Sequence, residues 1–135
     1  RMSLEIGQRE REGIRILDVS GRIIAGEEAT QFREAIGELQ KDGPALLILN
    51  LGEVEYIDST GLGAIVIAST SVRKNGGNVK LLNINRRTVE LLVMTKLATI
   101  FEMFSDEQEA VNSFFPGRKI QQFDILNFVQ QNKKD

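Results

Sequence analysis

Residues Ala45–Thr70 read ALLILNLGEVEYIDSTGLGAIVIAST. The stretch changes character twice. ALLILNL, Ala45–Leu51, is an almost unbroken apolar run, as expected of a strand covered on both faces in a central parallel sheet. YIDSTGLGAIVIAST, Tyr56–Thr70, passes from an acid and two hydroxyls, Asp58, Ser59 and Thr60, through Gly61-Leu62-Gly63 into a strongly apolar helical stretch. A strand ending near Ile57 and a helix capped by Asp58, Ser59 or Thr60 account for this order, because a small oxygen-bearing side chain satisfies the free N–H groups of a first turn. Gly61, Ala64, Ala68 and Ser71 then fall on one stripe, allowing the helix to lie close to the sheet. The helix is expected to run to about Lys74 and to stop at Gly76-Gly77.

Outward from this unit the pattern keeps alternating. Leu4–Glu12 reads as a short edge strand, Glu12-Gly13 as a turn, and Ile14–Gly21 as the second strand of a hairpin. From Glu27 the apolar positions Ala29, Phe32, Ala35, Ile36 and Leu39 recur at helical spacing, with Glu27 and Glu28 in the first turn and Gly43-Pro44 as the stop. Beyond the central unit come a strand at Asn78–Ile84, a helix from about Arg86 marked by Val89, Leu92 and Val93, and a short strand within Thr99–Phe104. A capping box of Ser105 and Gln108 opens a last helix reaching Phe114, and Pro116-Gly117 breaks the chain. The fold class is α/β, a small four- or five-stranded mixed sheet with helices mostly on one side and right-handed crossovers. The domain is expected over residues 2–116. The tail, 117–135, reads as helical and as packing on its own domain through Ile120, Phe123 and Leu126; the alternative is a dock for a partner or a second copy.

Composition narrows the chemistry. The 135 residues suit one domain with its own core, at 41% hydrophobic and 27% charged residues. A net charge of −2 gives no bulk attraction for nucleic acid or an anionic membrane. No apolar run is long enough to span a bilayer, and no signal-peptide core stands at the N-terminus. The sequence has no Cys and no His. Disulfides, thiol nucleophiles, thiolate metal sites, Ser-His-Asp triads and histidine phosphotransfer are therefore excluded. No nucleophile–base pair is evident, so the reading is not an enzyme, with no metal and no cofactor of its own. A cytoplasmic location fits the absence of cysteine.

The motif itself lacks the spacing of a phosphate loop, a dinucleotide fingerprint or a nucleophile elbow. Two readings stay open. Ser59 is a helix cap and nothing more, or it is a hydroxyl presented at a helix start as a phosphate acceptor, where the N-terminal dipole tolerates the product.

LGEVEYIDSTGLGAIVIAST, Leu51–Thr70, resembles the signature of STAS-domain proteins, and within them of bacterial anti-sigma factor antagonists. The hairpin with VSGRI, the helix with Phe32, GGNVKLLNI and LLVMTKLATIFEMFSDEQEAV agree in order, so the resemblance covers about Met2 to Phe115. It implies a protein-interaction switch that binds an anti-sigma factor with serine kinase activity. Ser59 would be the phosphoacceptor and Thr60 the alternative. Asp58, Ser59, Thr60, Gly61, Leu62 and Gly63 would form the partner-binding surface, with Ile24 as an exposed apolar contact if it is not core. ATP and magnesium would belong to the partner, and a serine phosphatase would reset the switch; a weak homodimer is a further expected partner state, and the sequence does not fix the oligomeric state. The alternative is a non-phosphorylated STAS interaction or scaffold module in a sensory assembly. This chain departs from the pattern at GRIIAGEE, Gly21–Glu28, where Arg22 and Ile24 stand in place of acids, and at Thr95-Lys96-Leu97.

Overall fold

The computed structural model describes residues 3–118 and 128–130. In these residues five strands form one sheet in the order β1-β2-β3-β4-β5. β1 (Glu5–Arg11) and β2 (Ile14–Ile23) make an antiparallel hairpin. Glu12 and Gly13 turn it with positive φ at both positions, the backbone that matches strand twist in a two-residue loop. β3 (Leu46–Ile57), β4 (Asn78–Leu82) and β5 (Met103–Phe104) follow in parallel. The crossovers are α1 (Glu27–Leu39), α2 (Ser59–Lys74) and α3 (Arg86–Met94); α4 (Glu107–Asn112) follows β5.

β3 is the spine. Leu47, Leu49 and Leu51 face the core under the helices, while Ile48 faces the opposite side. Strict alternation would then turn Val54 and Ile57 out of phase with one another. Two irregularities in the β2–β3 register prevent this: between Asp18 and Ser20 the partner advances from Asn50 to Glu53, and between Gly21 and Arg22 from Val54 to Tyr56. Each is one extra β3 residue, a bulge that bends the strand and resets its phase. Leu51, Val54 and Ile57 therefore all enter the same core, joined by Ala29, Phe32 and Ile36 of α1, by Leu62, Ala64, Ile65, Ala68 and Val72 of α2, and by Leu92 of α3.

The other face carries a smaller core of Ile14, Ile16, Ile48, Leu82 and Phe104 beneath Ala110 and Val111 of α4. Lys80 is buried there at 3% exposure. Its ammonium pairs with Glu102 at 3.2 Å, donates to the Ser113 carbonyl at 3.0 Å and lies 4.6 Å from the Phe114 ring centre. Arg9 and Arg11 of β1 clamp Glu107 at 2.5 Å each, and Arg9 also reaches Asp18 at 2.6 Å. The hydrogen bond from Arg9, reinforced by Arg11, holds the Glu107 carboxyl down at about 2.

Several expected boundaries shift. The cap of α4 is Asp106, which accepts from the Glu109 N–H at 2.9 Å, not Ser105; Gln108 bonds Asn112 instead, and the helix ends at Asn112 rather than Phe114. This register is the one that turns Ala110 and Val111 to the sheet. Within Thr99–Phe104 only Met103–Phe104 pairs as strand, preceded by a 3-10 turn at Ala98–Ile100. β4 stops at Leu82 because Asn83 turns the chain at φ 60°. Ile120, Phe123 and Leu126, expected to pack the tail, lie outside the described residues.

The Glu107 clamp predicts a pH-dependent contribution. A carboxyl depressed in the folded state stabilises above its unfolded value of 4.5, and this stabilisation is lost as pH falls toward 2. Because the pair is partly solvated, Glu107→Gln should cost about 0.5–1 kcal/mol near neutrality. Urea unfolding should show this difference near pH 7 and a clearly smaller one near pH 2, where the carboxyl is being protonated in the folded state.

Candidate functional site

α2 begins where β2 and β3 end side by side, with Ile23 paired to Ile57. The Asp58 N–H donates to the Ile23 carbonyl at 3.3 Å, carrying the pairing one residue further. The Asp58 side chain then does two things. Oδ1 accepts from the Gly61 N–H at 2.7 Å, capping α2, and Oδ2 accepts from the Ala25 N–H at 3.0 Å, tying down the turn between β2 and α1. The N–H of Ala25, followed by that of Gly61, holds the Asp58 carboxyl below the usual carboxylate range. Ile24, half-buried, sits in the same tied turn, and its carbonyl accepts from Ala29 at 2.9 Å.

With Asp58 as the cap, neither hydroxyl is needed for that task. Ser59 and Thr60 are exposed on the first turn, and among the described residues no protein group bonds their hydroxyls. They look in different directions. Ser59 lines a groove of about 260 Å³ between the end of β3 and α3, with Tyr56, Arg87, Leu91 and Met94. Thr60 lines an open hollow beside α1, with Gly26, Glu27, Thr30, Arg33 and Glu34.

The two glycines of the motif differ in kind. A Cβ on Gly61 would lie 1.8 Å from the Ile23 carbonyl oxygen, so the fold requires its absence. A Cβ on Gly63 would meet nothing within 4 Å. Gly63 is half-buried on the helix surface, and its bare backbone serves no contact inside the domain. Leu62 is 5% exposed and part of the core, so it supports the surface from below.

Sequence reasoning missed the α3 side of the groove. Arg87, Leu91 and Met94 stand outside the motif; only Met94, off the apolar stripe at 79% exposure, offers a signal. Tyr56, 38% exposed, was in view as the residue opening the motif, but nothing local told that its ring would lie under Arg87. Among the described residues, no group of three or more Asp or Glu is arranged to hold a metal, and no helix is long and apolar enough to cross a membrane.

The fold is a mixed sheet with a glycine-bearing helix start clamped by an acid beside an exposed hydroxyl, and the family profile described as the STAS domain matches residues 5–110. The chain belongs to the STAS-domain family. It is 37% identical to the anti-sigma-B factor antagonist of Bacillus subtilis (strain 168) over 65% of this chain and 84% of that one. Among solved structures, an anti-sigma factor antagonist from Mycobacterium paratuberculosis superposes with a TM-score of 0.71 at 23% identity, over 82% of this chain and 93% of the other. The Bacillus cell fate determinant SpoIIAA in its phosphorylated form superposes with a TM-score of 0.64 at 17% identity, over 84% and 100%. At these identities the structures establish the fold.

The glycine geometry predicts opposite responses to one methyl group. Gly61→Ala should destabilise by about 2–3 kcal/mol, since the Ile23 carbonyl is backbone and must move. Gly63→Ala should stabilise by about 0.5–1 kcal/mol through helix propensity alone. Thermal or urea unfolding of the two variants measures both signs.

Proposed function

We propose that this chain is an anti-sigma factor antagonist, switched off by phosphorylation of Ser59. The observation that carries the reading is that Asp58 alone caps α2, leaving the Ser59 hydroxyl exposed at a fixed helix start without a structural task. Two further facts support it: the curated relative is named for antagonism of an anti-sigma factor, and a protein of the same fold has been solved in phosphorylated form.

The partner is an anti-sigma factor with serine kinase activity that brings its own ATP and magnesium. The Ser59 oxygen attacks the γ-phosphorus, the new P–O bond replaces the bridging bond to ADP, and the hydroxyl proton passes to a base on the kinase. A serine phosphatase restores the hydroxyl by hydrolysis. The setting is the cytoplasm, with no nucleic acid or membrane in the contact, and the chain itself catalyses nothing. Gly63 lets the partner's surface approach the backbone of α2, and Ile24, in the turn held by Asp58, adds an apolar contact. Because Ser59 and Thr60 face separate hollows, a kinase docked for one is not aligned on the other.

The phosphate adds roughly −1.5 to −2 charges. The α2 N-terminus offsets about 0.3–1 kcal/mol of this in the free domain. In a closed interface the dianion is desolvated beside Asp58, at a cost of roughly 3–4 kcal/mol, equivalent to a few hundredfold in affinity. Titration calorimetry with the anti-sigma factor should give wild-type binding for Ser59→Ala, a loss of about tenfold for Ser59→Asp and a larger loss for the phosphorylated chain. Gly63→Ala, folded at least as well as wild type, should also bind about tenfold more weakly, each tenfold step being about 1.4 kcal/mol. Wild-type affinity in Ser59→Asp, together with no phosphate incorporated by the kinase, would leave a constitutive interaction module.

A further inference from the structure

We propose that Arg87 is the intramolecular counter-charge for the phosphate on Ser59, drawing it into the groove between β3 and α3. The inference rests on the reading of Ser59 as the phosphoacceptor and names the residue that receives the modified side chain. Ser59 and Arg87 line the same groove. The placement of Arg87 is fixed from two sides. Asn85 caps α3 by accepting from the Thr88 N–H at 2.8 Å, and its amide donates to the Val54 carbonyl at 3.0 Å, which anchors the start of α3 to β3. The Arg87 guanidinium carbon lies 4.5 Å from the centre of the Tyr56 ring, three residues before Ser59.

Three features distinguish Arg87 from an ordinary surface cation. It makes no ion pair among the described residues, whereas its neighbour Arg86 is engaged with Glu90 at 3.2 Å. It stands in the first turn of α3, a helix with no acid there, where a cation opposes the helix dipole. The position therefore weakens the helix while delivering to the groove of Ser59 a charge without a close ion-pair partner among the described residues. Finally, a guanidinium stacked on a ring keeps its N–H edges outward, so it can take two phosphate oxygens without leaving Tyr56. Before modification the groove carries Glu55, Asp58 and Glu90, a set of acids that gives Arg87 no single close partner and disfavours a further anion in the absence of a counter-charge. Phosphorylation places a dianion at a groove where, among the described lining residues, Arg87 is the one cation. The pairing changes the charge presented beside Tyr56 on the surface met by a partner.

The test installs phosphoserine at position 59 of the full chain during translation, so it does not depend on any kinase. Phosphorus NMR then follows the second ionisation of the phosphate against pH in the wild-type background and in Arg87→Gln, Arg87→Lys and Arg86→Gln. Glu55, Asp58 and Glu90 are present in every variant, so the differences isolate the arginines. A pairing worth what exposed ion pairs are worth lowers the phosphate pKa by about 0.5 unit in wild type relative to Arg87→Gln. Arg87→Lys should recover part of this, and Arg86→Gln should match wild type. The chain has one Tyr and no Trp, so its ultraviolet emission reports Tyr56 alone. That emission should follow the phosphate titration in wild type and respond less in Arg87→Gln. Equal phosphate pKa values in wild type and Arg87→Gln overturn the proposal, as does a shift of the same size in Arg86→Gln. Because the phosphate is built in, either result leaves the question of kinase action on Ser59 untouched; only the anti-sigma factor experiment decides that.

Discussion

One carboxylate holds together the end of the molecule that carries the candidate site. Asp58 accepts from Gly61 with one oxygen and from Ala25 with the other. It thereby joins three pieces that the chain brings there separately: the end of β3, the start of α2 and the turn leading into α1. A serine or threonine cap has one side-chain oxygen, whereas the carboxylate directs a separate oxygen to each of these N–H groups. The acid also frees Ser59 from capping, so the same interaction that rigidifies the helix start leaves a hydroxyl available on it. Because both bonds go to the ionised carboxylate, the geometry is kept by a group held in its charged form.

The clamp works because the backbone beneath it is already close. Gly61 lies against the Ile23 carbonyl with no room for a methyl group, and the two β3 bulges bring Val54 and Ile57 back to the helical core just before the turn. On the reverse face, α4 is held by a small apolar core together with a buried lysine and a two-arginine clamp. The large core sets the position of the site, while the small one closes the far side of the sheet.

Much of this was legible in the residues. The apolar run at Ala45–Leu51, the hairpin turn at Glu12-Gly13 and the helical spacing of Phe32 and Ile36 state their structures directly, because burial on a fixed period leaves a mark in sequence. The motif at Asp58–Gly63 was legible too, though not which oxygen would cap. The three-residue spacing of Leu51, Val54 and Ile57 matches neither strand nor helix period, since bulges are set by a neighbouring strand. At SDEQE both Ser105 with Gln108 and Asp106 with Glu109 satisfy a capping pattern, and only packing against the sheet separates them. The groove beside Ser59 was hidden for the same reason: it joins Tyr56 to residues of α3 that share no local pattern with it.

β3 also outruns its neighbour. Its pairing with β4 ends at Asn50, and seven residues continue to Ile57 with only β2 beside them. A bare strand margin of that length is a template on which another polypeptide could add and seed aggregates. Here side-chain amides stop the exposed backbone: Asn50 takes the Gly52 N–H and Asn85 takes the Val54 carbonyl. The bulges break the repeat an incoming strand would need, and Glu53 and Glu55 add charge along it. A protein whose work is to meet other proteins thus keeps its longest strand from recruiting them indiscriminately.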